Sequence, residues 1–254
     1  MNDVPNEIDA SKAPLLDHLI ELRRRLLWSL AAIVMAFFGC LYFARQIYAF
    51  LVQPLVAAGQ QELIFTQLFE AFFVEIKVAL FAAVMIAFPV VATQLWKFVA
   101  PGLYAKERRA LLPFLLATPV LFIAGAALAY YGAVPVALKF LLGYQGELGG
   151  IKLEALPAAG HYLGFIMQFI LAFGIAFQLP ILLMLLERTG VVSYDQLTSA
   201  RRYAIVAAFA IAAIFTPPDI LSQFMLAVPI ILLYEMSLVA IRLTHRKRAG
   251  RPED

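Results

Sequence analysis

Residues 26–44 read LLWSLAAIVMAFFGCLYFA, nineteen positions without a charged side chain. At about 1.5 Å per residue a helix over this run is close to the roughly 30 Å thickness of a bilayer's hydrocarbon core. The run predicts a membrane span, and the composition agrees with it. Of 254 residues, 63% are hydrophobic and only 15% charged, with a mean hydropathy of +0.85, which excludes an ordinary soluble domain. The one cysteine, Cys40, lies inside the run and has no partner for an intramolecular disulfide. His18, His161 and His245 are far apart in sequence and suggest no haem or metal site.

Towards the N-terminus, residues 1–13 are polar and read as a short mobile tail, with no cleavable leader ahead of the first span. From Pro14 a helix is expected. On a 100° wheel Asp17, His18, Glu21, Arg24 and Arg25 share one face, while Leu15, Leu16, Leu19, Leu22 and Leu26 share the other. Arg23 falls on the apolar side, where it either snorkels to headgroups or makes an internal ion pair. Glu21 has a local partner available in Arg25, four residues on, worth only about 0.3 kcal/mol.

Towards the C-terminus, residues 45–77 mix aromatics, Pro54 and scattered charges and read as an ordered loop lying along the membrane interface. A second span is expected at 78–95, with Pro89 as a kink, and a third at 111–133, with Pro113 and Pro119 near its start. Between them lies FVAPGLYAKERR, Phe98–Arg109. Its Pro101–Gly102 pair ends the incoming helix, and Glu107 stands among Lys106, Arg108 and Arg109. That acid is either neutralised by its neighbours or aimed at a cationic partner.

A loop over 135–160 precedes a fourth span at 162–186, polar only at Gln168 and Gln178. Gln178 stands two residues before Pro180, so its amide is expected to bond the carbonyl that the proline releases. A fifth span, 203–215, is short by roughly 10 Å, which implies local thinning of the bilayer unless flanking residues extend the helix. The sixth, 224–241, carries Glu235, which must face protein, water or the interface, since an acid in lipid costs on the order of 2.5–3.5 kcal/mol. Residues 244–254 form a basic tail. The expected fold is therefore all-α: one domain over 1–254, six transmembrane helices, several kinked by proline, the fifth and sixth short.

Six spans place both termini on one side. The N-terminal segment, the second and fourth loops and the tail hold sixteen of the twenty Lys and Arg, leaving Arg45, Lys77, Lys139 and Lys152 opposite. By the positive-inside rule both termini are cytoplasmic. The basic residues are dispersed at loop ends, which argues against nucleic-acid binding.

His18–Leu26 (HLIELRRRL), then Phe98–Arg109, then Thr216–Gln223 (TPPDILSQ) together resemble TatC, the receptor subunit of the twin-arginine protein translocase. The order, spacing and six-span plan match over nearly the whole chain. The resemblance implies a receptor in the cytoplasmic (inner) membrane that recognises folded cargo by an Arg-Arg signal peptide. It implies assembly with small single-span TatA- and TatB-like subunits into homo- and hetero-oligomers, and export driven by the proton-motive force without a cofactor. It maps Glu21, Arg23, Phe98 and Glu107 onto the signal-peptide site, and Pro54, Tyr130 and Asp219 onto other positions the family marks. Gln178 departs from the family, in which an acid often stands at that place in the fourth span.

Two rival classes are weaker. A proton- or ion-coupled secondary transporter of small solutes calls for ionisable groups near the bilayer midplane, and spans one to three have none beyond their flanks. An enzyme is not expected, because no nucleophile-and-base or metal-ligand motif is visible.

Overall fold

The computed structural model describes residues 7–60, 62–99, 112–216 and 219–249. The described chain is mostly helical: α1 (Glu7–Tyr42), α2 (Ala44–Ala57), α3 (Glu70–Val99), α4 (Leu112–Leu128), a π-helical turn (Ala129–Ala133), α5 (Val134–Leu142), α6 (Ala159–Ala176), α7 (Leu179–Arg188), α8 (Tyr194–Ser199), α9 (Arg201–Phe215) and α10 (Ile220–Ala249). Between α5 and α6 runs a small antiparallel hairpin, β1 (Gly146–Leu148) with β2 (Ile151–Leu153). Its two-residue turn needs positive φ at both positions, which Gly149 (61°) and Gly150 (85°) supply.

Five described stretches are long and apolar enough to cross a membrane: His18–Tyr42, Glu70–Phe98, Phe114–Leu142, Ala159–Arg188 and Ile220–Thr244. The protein is thus a polytopic helical membrane protein. The expected fifth span is α9, which at 15 residues is the short member. Arg201 and Arg202 do begin that helix, but Thr216 leaves it with extended backbone angles, so it reaches only about 22 Å.

Several sequence boundaries are corrected by the structure. Residues 7–13 are helical and belong to α1 rather than to a mobile tail. The expected loop at 45–77 is largely two helices, because Ile47, Tyr48, Leu51 and Leu55 form an apolar stripe on α2 that Pro54 obscures. The second span starts eight residues early, at Glu70, whose carboxylate caps the helix. One oxygen accepts from Thr66 N (2.6 Å), Thr66 Oγ1 (2.9 Å) and Gln67 N (3.2 Å), and the other from Gly160 N (2.7 Å) at the start of α6.

The third helix runs on through the π turn to Leu142, since the widened turn admits Pro135 at the start of α5. The fourth is broken at Phe177–Gln178, giving α6 and α7. The sixth is not short: Asp219 accepts from Ser222 N at 2.7 Å and so starts α10 at Ile220, and the helix continues to Ala249. The basic tail is helical to that residue.

The main core lies where α2, α3, the π turn, α6 and α10 meet, around Leu51, Val78, Leu163, Ile166, Phe169 and Leu226, each at most 1% exposed. Helices α4 and α6 touch through glycine. A Cβ on Gly125 would stand 2.6 Å from the Phe173 carbonyl oxygen, and one on Gly174 would stand 2.6 Å from Phe122 Cε2. Helix α1 is attached differently, packing chiefly along α3; at one end of that contact Cys40, with Ala44 at the start of α2, meets Ala79, Ala82 and Ala83. The opposite side of α1 faces outward, including Leu26, Trp28, Met35 and Phe38.

Candidate functional site

The end of α1 that carries the charged face packs against the last turns of α3. Three contacts fix this corner. The His18 ring stacks on Phe98, with centroids 4.3 Å apart and planes 20° from parallel. Arg25 Nη2 donates to Glu21 Oε1 at 3.0 Å, and Arg25 Nη1 donates to Gln94 Oε1 at 3.3 Å. Arg25 therefore clamps the two helices, and Glu21 shares that clamp on its own helix. The Glu21 side chain is 30% exposed, so water and a partner reach it.

Of the four residues assigned to a signal-peptide site, Glu21 and Phe98 are brought to this corner. Arg23 is not. It lies on another face of α1, exposed beside Ile20, Leu27 and Trp28, as a snorkelling arginine would. Among the described residues it has no ion pair. Glu107, with Pro101, Gly102 and the cations around it, lies outside the described residues.

A polar relay leads inward from the same end of α3. Trp96 Nε1 donates to Thr118 Oγ1 at 2.9 Å, Thr118 Oγ1 donates to the Phe114 carbonyl at 2.8 Å, and Gln178 Nε2 donates to the Thr118 carbonyl at 3.0 Å. Gln178 thus crosses to α4 instead of bonding the carbonyl that Pro180 releases. The amide sits at the break between α6 and α7, where its reach across the bundle exceeds its reach back along its own turn. Its Oε1 is buried and has no described partner. Thr118, 5% exposed, joins α3, α4 and the broken fourth helix.

Pro54 and Tyr130 form a second cluster at the opposite end of the bundle. Proline has no N–H, so Pro54 leaves the carbonyl four residues back, that of Phe50, without its helical donor. Tyr130 Oη donates to that oxygen at 2.6 Å, and its ring stacks on Phe50 at 4.4 Å. Tyr162 Oη donates to the adjacent Leu51 carbonyl at 3.0 Å. Two tyrosine hydroxyls therefore hold α2 on the bundle, one from the π turn and one from α6.

Asp219 caps α10, while Gln223 Nε2 donates to the Phe209 carbonyl at 3.2 Å and joins α10 to α9. Glu235, expected to avoid lipid, pairs with Arg201 at 3.0 Å.

Sequence reasoning missed Gln94, Trp96 and Thr118. Each is a single polar residue inside or beside an apolar run, and only the packing of α3 on α1 and α4 gives it a partner. The Glu21–Arg25 pair was signalled by its spacing of four.

Residues 17–229 match the family model of the Sec-independent protein translocase protein TatC. The Sec-independent protein translocase protein TatC of Magnetococcus marinus is 51% identical over 240 residues, covering 94% of this chain and 87% of that one. Its counterpart in Aquifex aeolicus is 41% identical over 238 residues, 92% of this chain and 97% of that one. A crystal structure of a twin-arginine translocase receptor TatC superposes with a TM-score of 0.79 at 40% identity, over 89% of this chain and 98% of that one. A second such structure, in DDM, gives 0.80 at 40% identity over 88% and 98%.

Proposed function

The chain belongs to the TatC family, and from that premise we propose that it is the membrane receptor of a twin-arginine translocase, reading Arg-Arg signal peptides at the corner between α1 and α3. The observation that carries the site is the pairing of Glu21 with Phe98's neighbourhood: His18 stacks on Phe98 one turn from Glu21, and Arg25 ties Glu21 to Gln94. An acid and an aromatic ring at one helix corner offer a carboxylate for a guanidinium and an apolar surface for the segment beside it.

In this reading Glu21 is held ready by a weak internal competitor. A partly exposed i,i+4 pair nets only about 0.3–0.5 kcal/mol, so an incoming arginine displaces Arg25 from Glu21 at small cost while Arg25 keeps Gln94. A guanidinium fork binds a carboxylate through two parallel hydrogen bonds, which an ammonium cannot do. Glu107 is assigned as the second acid on the family motif, and Arg23 as an anchor of α1 at the membrane surface.

The cation distribution supports cytoplasmic placement of both termini in the inner membrane. TatA- and TatB-like single-span subunits are the proposed partners, with cargo passage driven by the proton-motive force. The test is site-specific photocrosslinking from positions 21, 98 and 107 to a twin-arginine signal peptide in membrane vesicles. Crosslinks from 21 and 98 that disappear when the peptide carries Lys-Lys support the site; labelling indifferent to that change refutes it.

A further inference from the structure

At the hairpin end of the bundle, α2, α3 and α4 leave a cleft of about 280 Å³ whose walls include Phe50, Phe81, Met85, Ile86, Ile123 and Ala127. Every one of these side chains is aliphatic or aromatic. An ion pair stands beyond the cleft towards the helix ends: Arg45, at the start of α2, places Nε 3.3 Å from Glu75 Oε1 on α3. Glu75, Ala82 and Ile86 are seven and four residues apart and so share one stripe of α3, which leads from the ion pair into the cleft. The Arg45 side chain is 88% exposed and that of Glu75 41%, so both charges are open to a ligand.

We propose that the cleft holds one acyl chain of a zwitterionic aminophospholipid, with its phosphate on Arg45 and its ammonium on Glu75. The proposal goes beyond the receptor role and does not depend on it. Apolar surface gains nothing by leaving a bilayer for another apolar wall, so the cleft alone selects no occupant. The headgroup pair selects it. An anionic lipid meets repulsion from Glu75, and a choline headgroup, fully methylated, donates no hydrogen bond to the carboxylate. Phosphatidylethanolamine satisfies both charges. A second copy of the chain or a single-span helix fits less well, because close helix approach in lipid uses small residues, whereas these walls carry Phe, Met and Ile.

The full chain, reconstituted in vesicles of equal ethanolamine, choline and glycerol phospholipids with a photoactivatable acyl chain, tests this. Adducts mapped by mass spectrometry are expected within 81–86 and 123–127, with ethanolamine lipid favoured about three- to fivefold, the range an exposed ion pair supports. Ala127→Trp, which fills the cleft, removes those adducts. Glu75→Gln shifts the preference towards the anionic lipid, and this second variant decides the matter if Ala127→Trp misfolds. Equal labelling by the three lipids, adducts that survive Ala127→Trp in protein of unchanged melting temperature, or crosslinks there to another polypeptide would overturn the proposal.

Discussion

The Tyr130 hydroxyl donates to the Phe50 carbonyl at 2.6 Å, the oxygen that Pro54 deprives of its helical donor. A proline and a tyrosine 76 positions apart in sequence therefore act as one unit, which a double-mutant cycle makes visible. Tyr130→Phe leaves the half-buried Phe50 carbonyl without its donor, with an expected loss of about 1–3 kcal/mol. Pro54→Ala restores the N–H at position 54, so the same Tyr130→Phe change should cost much less in that background. Thermal unfolding of the four proteins in detergent measures the coupling. Strictly additive losses would show that the two residues contribute independently.

The glycines between α4 and α6 are expected to differ in how they can be rescued. Gly174→Ala presses on the Phe122 ring, itself stacked on Phe88, whereas Gly125→Ala presses on the Phe173 backbone carbonyl. Each should destabilise by about 1–3 kcal/mol. Adding Phe122→Leu should recover part of the Gly174→Ala loss and none of the Gly125→Ala loss. Equal recovery for both would contradict the packing described.

At the α1–α3 corner, Glu21→Gln should weaken twin-arginine crosslinking and export of a reporter while leaving protein abundance unchanged, because an exposed pair contributes at most about 1 kcal/mol to stability. Combined with Glu107→Gln, it should abolish the preference for Arg-Arg over Lys-Lys signal peptides. A double variant that still discriminates as sharply as the parent would mean the two acids neutralise only their own neighbours.

Helix α9, about 22 Å long, does not match a core of roughly 30 Å. Five leucines inserted after Ala210 add about 7.5 Å and should reduce export if a thinned bilayer beside α9 and α10 serves cargo passage. Normal export by a stably folded insertion variant would remove any role for the shortfall.

The apolar runs were readable because lipid demands them, and so was Arg23's place on the apolar face of α1. The need of Glu235 to avoid lipid was equally plain. Helix α2 was hidden by Pro54, which looks like a breaker until Tyr130 is seen supplying the missing hydrogen bond from a distant helix. Gln178 was misassigned for a related reason, since Thr118 lies 60 residues away and no local rule names it. Asp219 was a missed chance. An acid three residues before Ser222 is an ordinary helix-start signal, yet the proline pair ahead of it drew the boundary too late.

The attachment of α1 chiefly to α3 bears on how the chain is made. Made before α3, α1 has no groove to settle into, and lipid satisfies its bare sides. Its complement, the Ala79–Ala83 seam, arrives only when α3 inserts. Because that seam draws on no later helix, the corner formed by His18, Glu21 and Phe98 is held by α1 and α3 themselves, and nothing from α6 or α10 is needed to close it.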